Sequence, residues 1–238
     1  MDILDAPRAY DAGVELLSIR FDFNMELDGP GFDVLSDDER ARARRFVRHE
    51  DAIRCAATRA VLRRALAERT GMPASELRFG RGALGRPLLV SAKGILHAGL
   101  DFNVSHSGQH GLIALATGRR VGVDIEMCCP DVNWQMIKGA VFASRDDACV
   151  AVLPALQRVD AFYRVWTAKE ALLKVLGLGI AKGMTWFSVL EGEHEDPFVR
   201  VISRQLDDAG ELSALNAAWC GVPPGYVGCV AWSESGPR

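Results

Sequence analysis

The period of the apolar positions changes along the chain, and each change marks an element. Residues 36–69, "SDDERARARRFVRHEDAIRCAATRAVLRRALAER", hold neither Gly nor Pro and are rich in Ala and Leu. Ile53, Ala57, Ala60 and Val61 recur at helical spacing. Ser36 or Asp37 can cap the start, and acidic side chains fill the first turn. The pattern predicts two helices with a break near His49, ended by Gly71 and Pro73. The glycine-rich "RFGRGALGRPLL" reads as a loop. Beyond it come strand-like segments: "LDFNV" is short and apolar, "GLIALAT" is a candidate buried strand, and "RVGVDIEM" alternates strictly. The "GRR" between the last two has the length of a hairpin turn. Residues 111–117 and 120–127 are therefore expected as antiparallel neighbours.

Residues 131–158 look helical but irregular. The clearest helix covers 160–176 and stops at Gly177 and Gly179, and "TWFSVL" and "GYVGCVAWS" read as late strands. Helices, strands, helices and strands in that order predict an α+β fold. The order allows two similar halves, 1–118 and 119–238, meeting near Gly118, although no tight sequence repeat accompanies them.

One position breaks the pattern of the clearest helix. Projected at 100° per residue, Phe162, Val165, Trp166, Leu172, Leu173 and Leu176 form one apolar face. Lys169 falls in the middle of it, with Glu170 and Lys174 on one edge. An unpaired buried charge is costly, so Lys169 calls for an anionic partner or ligand. The other reading lays its stem on apolar surface with the amine reaching water. Glu170 and Lys174 stand at i and i+4, a pairing that by itself adds only about 0.2–0.5 kcal/mol to a helix.

Composition narrows the class without naming it. The 238 residues suffice for one large domain or two small ones. Hydrophobic content of 49% and charged content of 25% are ordinary for a soluble globular protein. A net charge of -3 points to neither a nucleic-acid nor a membrane surface. No apolar run approaches the length of a bilayer span, and "MDILDAPRAYDAG" has neither a basic nor an apolar targeting region. Cys55, Cys128, Cys129, Cys149, Cys220 and Cys229 form no C-x-x-C pair. They are expected as reduced thiols in a cytosolic protein, not as a zinc site or a disulfide framework.

Candidate chemistry lies in four places. In "GVDIE", strand alternation puts Gly122, Asp124 and Glu126 on one face. Two carboxylates one pleat apart can share Mg²⁺, and Gly122 would leave room beside them; the alternative is a solvated strand face. The second is the helix carrying Lys169, Glu170 and Lys174. In "FNVSHSG", strand character runs into a polar loop, where His106, Ser105, Ser107 and backbone N–H groups could bind an anion. A satisfied loop histidine is the commoner case. A catalytic serine is disfavoured, because no G-x-S-x-G elbow is present and adjacent Ser and His side chains rarely face each other. Finally, residues 36–69 hold ten arginines, no lysine and six acids. Arginine forms bidentate contacts with phosphate and stacks on aromatic rings, although most of these arginines read as a solvated face. Together the four describe machinery for a polyphosphate substrate. They do so without a G-x-x-x-x-G-K-[ST] loop or a G-x-G-x-x-G fingerprint.

The combination resembles the Sfp-type 4′-phosphopantetheinyl transferases. The resemblance rests on "RARRFVRHEDAIRCAATRAVLRRAL" (40–66), "GRPLL" (85–89), "FNVSHSG" (102–108), "VGVDIE" (121–126) and "FYRVWTAKEALLKVLGLG" (162–179), in family order. It implies that a serine hydroxyl of an apo acyl or peptidyl carrier protein attacks the β-phosphate of coenzyme A, with Mg²⁺ or Mn²⁺ as cofactor. The 4′-phosphopantetheine arm moves to the serine and 3′,5′-ADP leaves. It implies a monomer of two α+β subdomains related by a pseudo-two-fold axis, with the active site in the cleft between them.

Residue by residue, the resemblance makes Asp124 and Glu126 metal ligands. Glu170 becomes a third carboxylate that holds the metal or activates the serine. Lys174 and Lys169 are implied at the CoA phosphates, with His106 and Ser105 beside them. Arg42 and Arg54 fall where basic residues meet the CoA nucleotide, and Gly85 and Arg86 fall in the loop beside the adenine. On this reading the face bearing Lys169 and Glu170 lines the cleft. Several family members carry Lys where Glu39 and Arg86 stand here. Two other classes of function remain open: a catalytically inactive CoA- or carrier-binding protein, and another Mg²⁺-dependent phosphoester enzyme.

Overall fold

The computed structural model describes residues 2–4, 6–82, 85–90, 99–178, 183–189, 199, 202–203, 212 and 214–234. Gly179 and Leu190, which figure in the expected helix stop and the expected strand, lie outside them. The elements in order are β1 (Asp2–Ile3), α1 (Pro7–Asp11), β2 (Val14–Arg20), α2 (Asp37–Ala43), α3 (His49–Thr70), β3 (Arg78–Arg81), β4 (Pro87–Val90), β5 (Leu100–Ser107), β6 (His110–Thr117) and β7 (Val121–Met127). They continue with α4 (Trp134–Val141), α5 (Ser144–Ala151), α6 (Ala155–Leu176), β8 (Phe187–Ser188), β9 (Ile202–Ser203), β10 (Leu215–Trp219) and β11 (Tyr226–Ser233).

Local chemistry explains the helix ends. Ser36 accepts from the Glu39 backbone N–H while the Glu39 carboxylate accepts from the Ser36 N–H, a reciprocal cap that starts α2. The chain breaks at 44–48, as the pattern around His49 predicts, and resumes as the 22-residue α3. Both α3 and the equally long α6 end on a left-handed glycine, Gly71 (φ 69°) and Gly177 (φ 75°).

Two antiparallel sheets form the middle of the molecule. One has the order β1-β2-β6-β5 and the other β10-β11-β7. They face each other across a shared core in which Leu112, Ala114 and Ala116 of β6 meet Val121, Val123 and Ile125 of β7. On its outer face the first sheet sends Ile113, Leu115 and Phe102 against Leu62 and Leu66 of α3. The second sheet sends Cys229 and Ala231 against Ala168, Leu172 and Val175 of α6. The layers therefore run helix, sheet, sheet, helix, in keeping with the predicted α+β class.

Two expectations change. β6 and β7 are not hydrogen-bonded neighbours. Both edges of β6 are taken by β2 and β5, and the chain turns at Gly118 (φ 73°) to cross into the second sheet. The glycine-rich segment after α3 is not a plain loop but the β3–β4 hairpin, with Phe79 opposite Leu89. β2 and β10 went unread. In β2, Leu16 and Leu17 are both buried, so a central strand shows no clean alternation.

Gly122 has a purpose other than the expected one. A Cβ there would lie 2.1 Å from the Ala171 carbonyl oxygen and 2.8 Å from the Val175 nitrogen. The missing side chain lets the α6 backbone rest directly on β7, so the face bearing Gly122, Asp124 and Glu126 looks onto α6. Asp124 keeps only 2% of its surface, which excludes the solvated-face reading at that residue.

Candidate active site

The site grows from the way β5 lies along β7. Alternate side chains of β5 point at β7 and join the two sheets. Asp101 accepts from the Val121 N–H (2.9 Å) and Asn103 from the Val123 N–H (3.1 Å). Ser105 donates to Asp124 Oδ1 (2.7 Å), and Ser107 donates to Glu126 Oε2 (2.9 Å) and accepts from the Met127 N–H. The two serines thus orient the carboxylates of β7. Sequence reasoning read them as anion donors at the head of a polar loop. The usable signal was the alternation Asp, Asn, Ser, Ser at 101, 103, 105 and 107.

At the end of this seam α6 adds Glu170 and Lys174. The Lys174 ammonium lies 2.7 Å from Asp124 Oδ1, 3.1 Å from Ser105 Oγ and 3.0 Å from the Val123 carbonyl, and 4.0 Å from Glu170 Oε2. One lysine therefore faces the carboxylates of Asp124 and Glu170, with Glu126 close by. Burial pushes the Glu170 carboxyl up to about 7, and the charges of Asp124 and Glu126 add to the shift against the opposing pull of Lys174. Burial, with the Asp124 charge second, raises Glu126 to about 6. Asp124 Oδ2 and Glu170 Oε1 are buried and accept no hydrogen bond.

The opposite face of β5 carries Val104 and His106 and looks into an open basin of about 1630 Å³. Arg42, Arg45, Arg59, Arg81 and Gly85 also line it, so it is basic. Arg59 stacks on Phe79, with its guanidinium carbon 4.3 Å from the ring centre, and its Nη1 is buried without an acceptor. Glu39 holds both Arg59 (3.2 Å) and Arg63 (2.7 Å), which gives an acid a place in this basic region. Arg59 was not singled out in the sequence, because nothing separates it from the other arginines of its region. Desolvation lowers the pKa of His106, and the charges of Arg54 and Lys174 act in the same direction. That last effect ties the basin to the carboxylate cluster across one strand.

Three residues predicted to meet CoA make contacts within the protein in the ligand-free structure. Lys169 does not face the cleft. Its ammonium is fully buried and bonded to Asp146 Oδ2 (2.6 Å), the Val141 carbonyl (2.7 Å) and the Met184 carbonyl (2.6 Å). Each N–H has an acceptor, so none is left for a phosphate. Arg86 turns its guanidinium into the seam, bonding Asp101 (2.7 Å) and the carbonyls of Phe102, Val121 and Lys174. Arg54 donates to the Gly108 carbonyl (2.6 Å) and pairs with Asp51 (2.5 Å), bracing the β5–β6 turn. The structure brings together Asp124, Glu126, Glu170, Lys174 and Ser105 on one side of β5, and Arg42, Gly85 and His106 on the other.

The carboxylate cluster suits a hard divalent cation. Its donors are all oxygen, two of them are buried without a partner, and burial, with mutual repulsion adding to it, raises two of the three pKa values. Among the described residues no three His, Cys, Asp or Glu side chains converge on one point as placed. One or two carboxylates with substrate phosphates are a common shell for Mg²⁺, and this donor set fits that arrangement.

Comparison with known proteins converges on one family. A sequence-family model described as 4′-phosphopantetheinyl transferase, N-terminal, matches residues 31–118. A second, described as the 4′-phosphopantetheinyl transferase superfamily, matches residues 120–228. A Synechocystis sp. protein, slr0495, whose description carries the same family name, is 36% identical over 156 residues, 65% of this chain and 62% of the relative. The 4′-phosphopantetheinyl transferase HetI of Nostoc sp. is 36% identical over 148 residues, 62% of each chain. A 4′-phosphopantetheinyl transferase of Bacillus subtilis is 27% identical over 197 residues, 78% of this chain and 84% of that one. The chain thus spans less than two thirds of the length of the first two relatives. Two models of one family, adjacent and in order, cover most of the sequence, and the chain belongs to the 4′-phosphopantetheinyl transferase superfamily.

Proposed function

We propose that this protein moves the 4′-phosphopantetheine arm of coenzyme A to a serine of an apo acyl or peptidyl carrier protein and releases 3′,5′-ADP. The observation that carries this reading is the pair of orphaned oxygens on Asp124 and Glu170, set beside Lys174 and one strand from a basic basin.

The nucleotide end of CoA enters the basin. Arg42 and Arg59 meet its phosphates, the guanidinium of Arg59 being held flat by Phe79. The pyrophosphate crosses the edge of β5 near His106, which donates a ring N–H to it. Lys174 supplies an ammonium to the same group. Asp124 and Glu126 would hold Mg²⁺ or Mn²⁺, with Glu170 next to them. That ion, when bound, neutralises charge on the pyrophosphate. Ser105 and Ser107 fix the carboxylate rotamers from behind.

The serine oxygen of the carrier forms a bond to the β-phosphorus, and the bond from that phosphorus to the bridging oxygen of 3′,5′-ADP breaks. The hydroxyl proton needs an acceptor. Glu170 has an oxygen without a donor and a pKa raised to about 7, suited to a base near neutral pH. A single oxygen cannot both bind the ion and take the proton, so Glu170 serves one role or the other at each oxygen.

The same reading takes the chain as an Sfp-type, cytosolic monomer. Its two α+β subdomains, 1–118 and 119–238, are related by a pseudo-two-fold axis, with the site in the cleft between them. In support, all six cysteines are free, and among the described residues no helix is long and apolar enough to cross a membrane. Chromatographic detection of 3′,5′-ADP tests the reaction. The nucleotide is expected only when CoA, Mg²⁺ and an apo carrier are all present, and EDTA is expected to abolish it. Release of 3′,5′-ADP from CoA without a carrier would instead favour a phosphoester hydrolase.

A further inference from the structure

The position of Lys174 raises a question that the transfer reaction leaves open. A lysine that serves the substrate pyrophosphate should face the substrate. Here its ammonium sits inside the carboxylate cluster, 2.7 Å from Asp124 Oδ1 and 4.0 Å from Glu170 Oε2, with Ser105 Oγ and the Val123 carbonyl completing its contacts. Its side chain keeps 24% of its surface, whereas Asp124 and Glu170 keep 3% and 5% of theirs. The lysine is thus the water-facing member of the three, and Asp124 and Glu170 are the buried ones. A buried carboxylate deprived of its cation is strongly destabilised, so Asp124 needs some positive charge at all times.

We infer that Lys174 is an exchangeable cation. In the ligand-free protein its ammonium occupies the neighbourhood of Asp124 that a divalent ion takes, and it passes to the substrate pyrophosphate when ion and CoA bind together. This rests on the reading of the carboxylates as a metal site.

The consequence is a coupling between two ligands. An ion arriving alone must displace the ammonium from Asp124 and leave it without an anion. CoA arriving alone must draw the ammonium away and leave Asp124 without a cation. Each ligand supplies what the departure of Lys174 removes, so each favours the other. By linkage, the factor by which CoA tightens the ion equals the factor by which the ion tightens CoA. A carboxylate cluster without this lysine would bind the ion on its own. With it, the site charges fully only when substrate is present.

The test is Mn²⁺ binding, followed by the electron paramagnetic resonance signal of the free ion, in the full chain with and without CoA. The wild type is expected to bind Mn²⁺ weakly alone and about 5–150-fold more tightly with CoA, the usual span of such couplings. Lys174→Met is expected to bind Mn²⁺ alone more tightly than the wild type, with a smaller gain from CoA. Lys174→Arg, which keeps the charge, is expected to behave like the wild type without CoA. Equal or weaker Mn²⁺ binding by folded Lys174→Met in the absence of CoA would overturn the inference while leaving the transferase reading intact. No Mn²⁺ binding by any form, even with CoA, would overturn both.

Thermal melts establish that each variant is folded. Should Lys174→Met not fold, the wild type decides. The side-chain ¹⁵N resonance of Lys174 is expected to shift on adding Mg²⁺ with CoA, and a resonance that does not move overturns the exchange.

Discussion

Lys169 and Asp146 pair at 2.6 Å with neither side chain exposed. The pair joins four segments. Lys169 belongs to α6 and bonds the last residue of α4, while Asp146 lies in the first turn of α5 and accepts from the backbone N–H groups of Ala143 and Val189. Desolvation lowers the Lys169 pKa and the Asp146 charge opposes that shift. Lys169→Ala would leave Asp146 buried without its cation, which costs about 3–5 kcal/mol. Urea denaturation is expected to show that loss, with the CoA affinity of the folded protein unchanged. A variant of normal stability that binds CoA poorly would return Lys169 to the substrate.

Gly122 controls how closely α6 approaches the acidic strand. Its absent Cβ would meet backbone atoms of Ala171 and Val175, which cannot move aside as a flexible side chain would. Gly122→Ala is expected to destabilise the protein by about 1–3 kcal/mol through overpacking. Activity should fall further than the folded fraction does, because Glu170 and Lys174 ride on the displaced helix. Calorimetric melting beside a rate assay separates the two effects.

The carboxylate cluster sets a pH dependence with a definite sign. Glu126 and Glu170 are raised from 4.5 to about 6 and about 7, so the folded protein holds protons that the unfolded chain has released. Their contribution is fully present below pH 4.5 and is lost as pH rises through about 6 and 7. Ligand-free protein is therefore expected to lose stability across that window, and saturating Mg²⁺ with CoA should reduce the loss. Glu170→Gln removes the larger shift. With 4% of Glu170 exposed, the gain is on the order of 1–3 kcal/mol at pH 8, with transfer abolished. Denaturant titrations at pH 5 and pH 8 would check it; an equal loss in both proteins would contradict the assignment.

Arg59 is expected to carry part of the CoA affinity. A hydrogen bond to a charged group contributes about 1.5–3 kcal/mol, and its Nη1 is buried without an acceptor. Arg59→Gln should weaken CoA binding by about 10–150-fold in titration calorimetry. Unchanged binding would move the nucleotide out of the basin.

Much of the site was legible because its parts repeat at the period of their element. Asp124 and Glu126 share a strand face, and Glu170 and Lys174 share a helix edge. What stayed hidden depends on what stands opposite. The oddity of Lys169 was visible and so was its need for an anion, but Asp146 lies 23 positions away and nothing in the spacing pairs the two. Arg86 read as a substrate contact, while its partner in the protein, Asp101, lies in "LDFNV", a stretch noted for being short and apolar. Gly122 was seen as room for an ion, although the room is filled by backbone from α6. The helices were predictable from local signals such as the cap at Ser36 that starts α2 and the glycine stops of α3 and α6. The assignment of β6 and β7 to different sheets was not, because a three-residue connection serves a hairpin and a crossing between sheets alike.

The most direct test of the account is the intact mass of an apo peptidyl carrier protein and an apo acyl carrier protein after incubation with this protein, CoA and Mg²⁺. A gain of one phosphopantetheine is expected on at least one carrier, abolished by EDTA and by Asp124→Ala. Unchanged mass on both carriers, with CoA binding intact by calorimetry, would contradict it and leave a protein that binds CoA without transferring its arm.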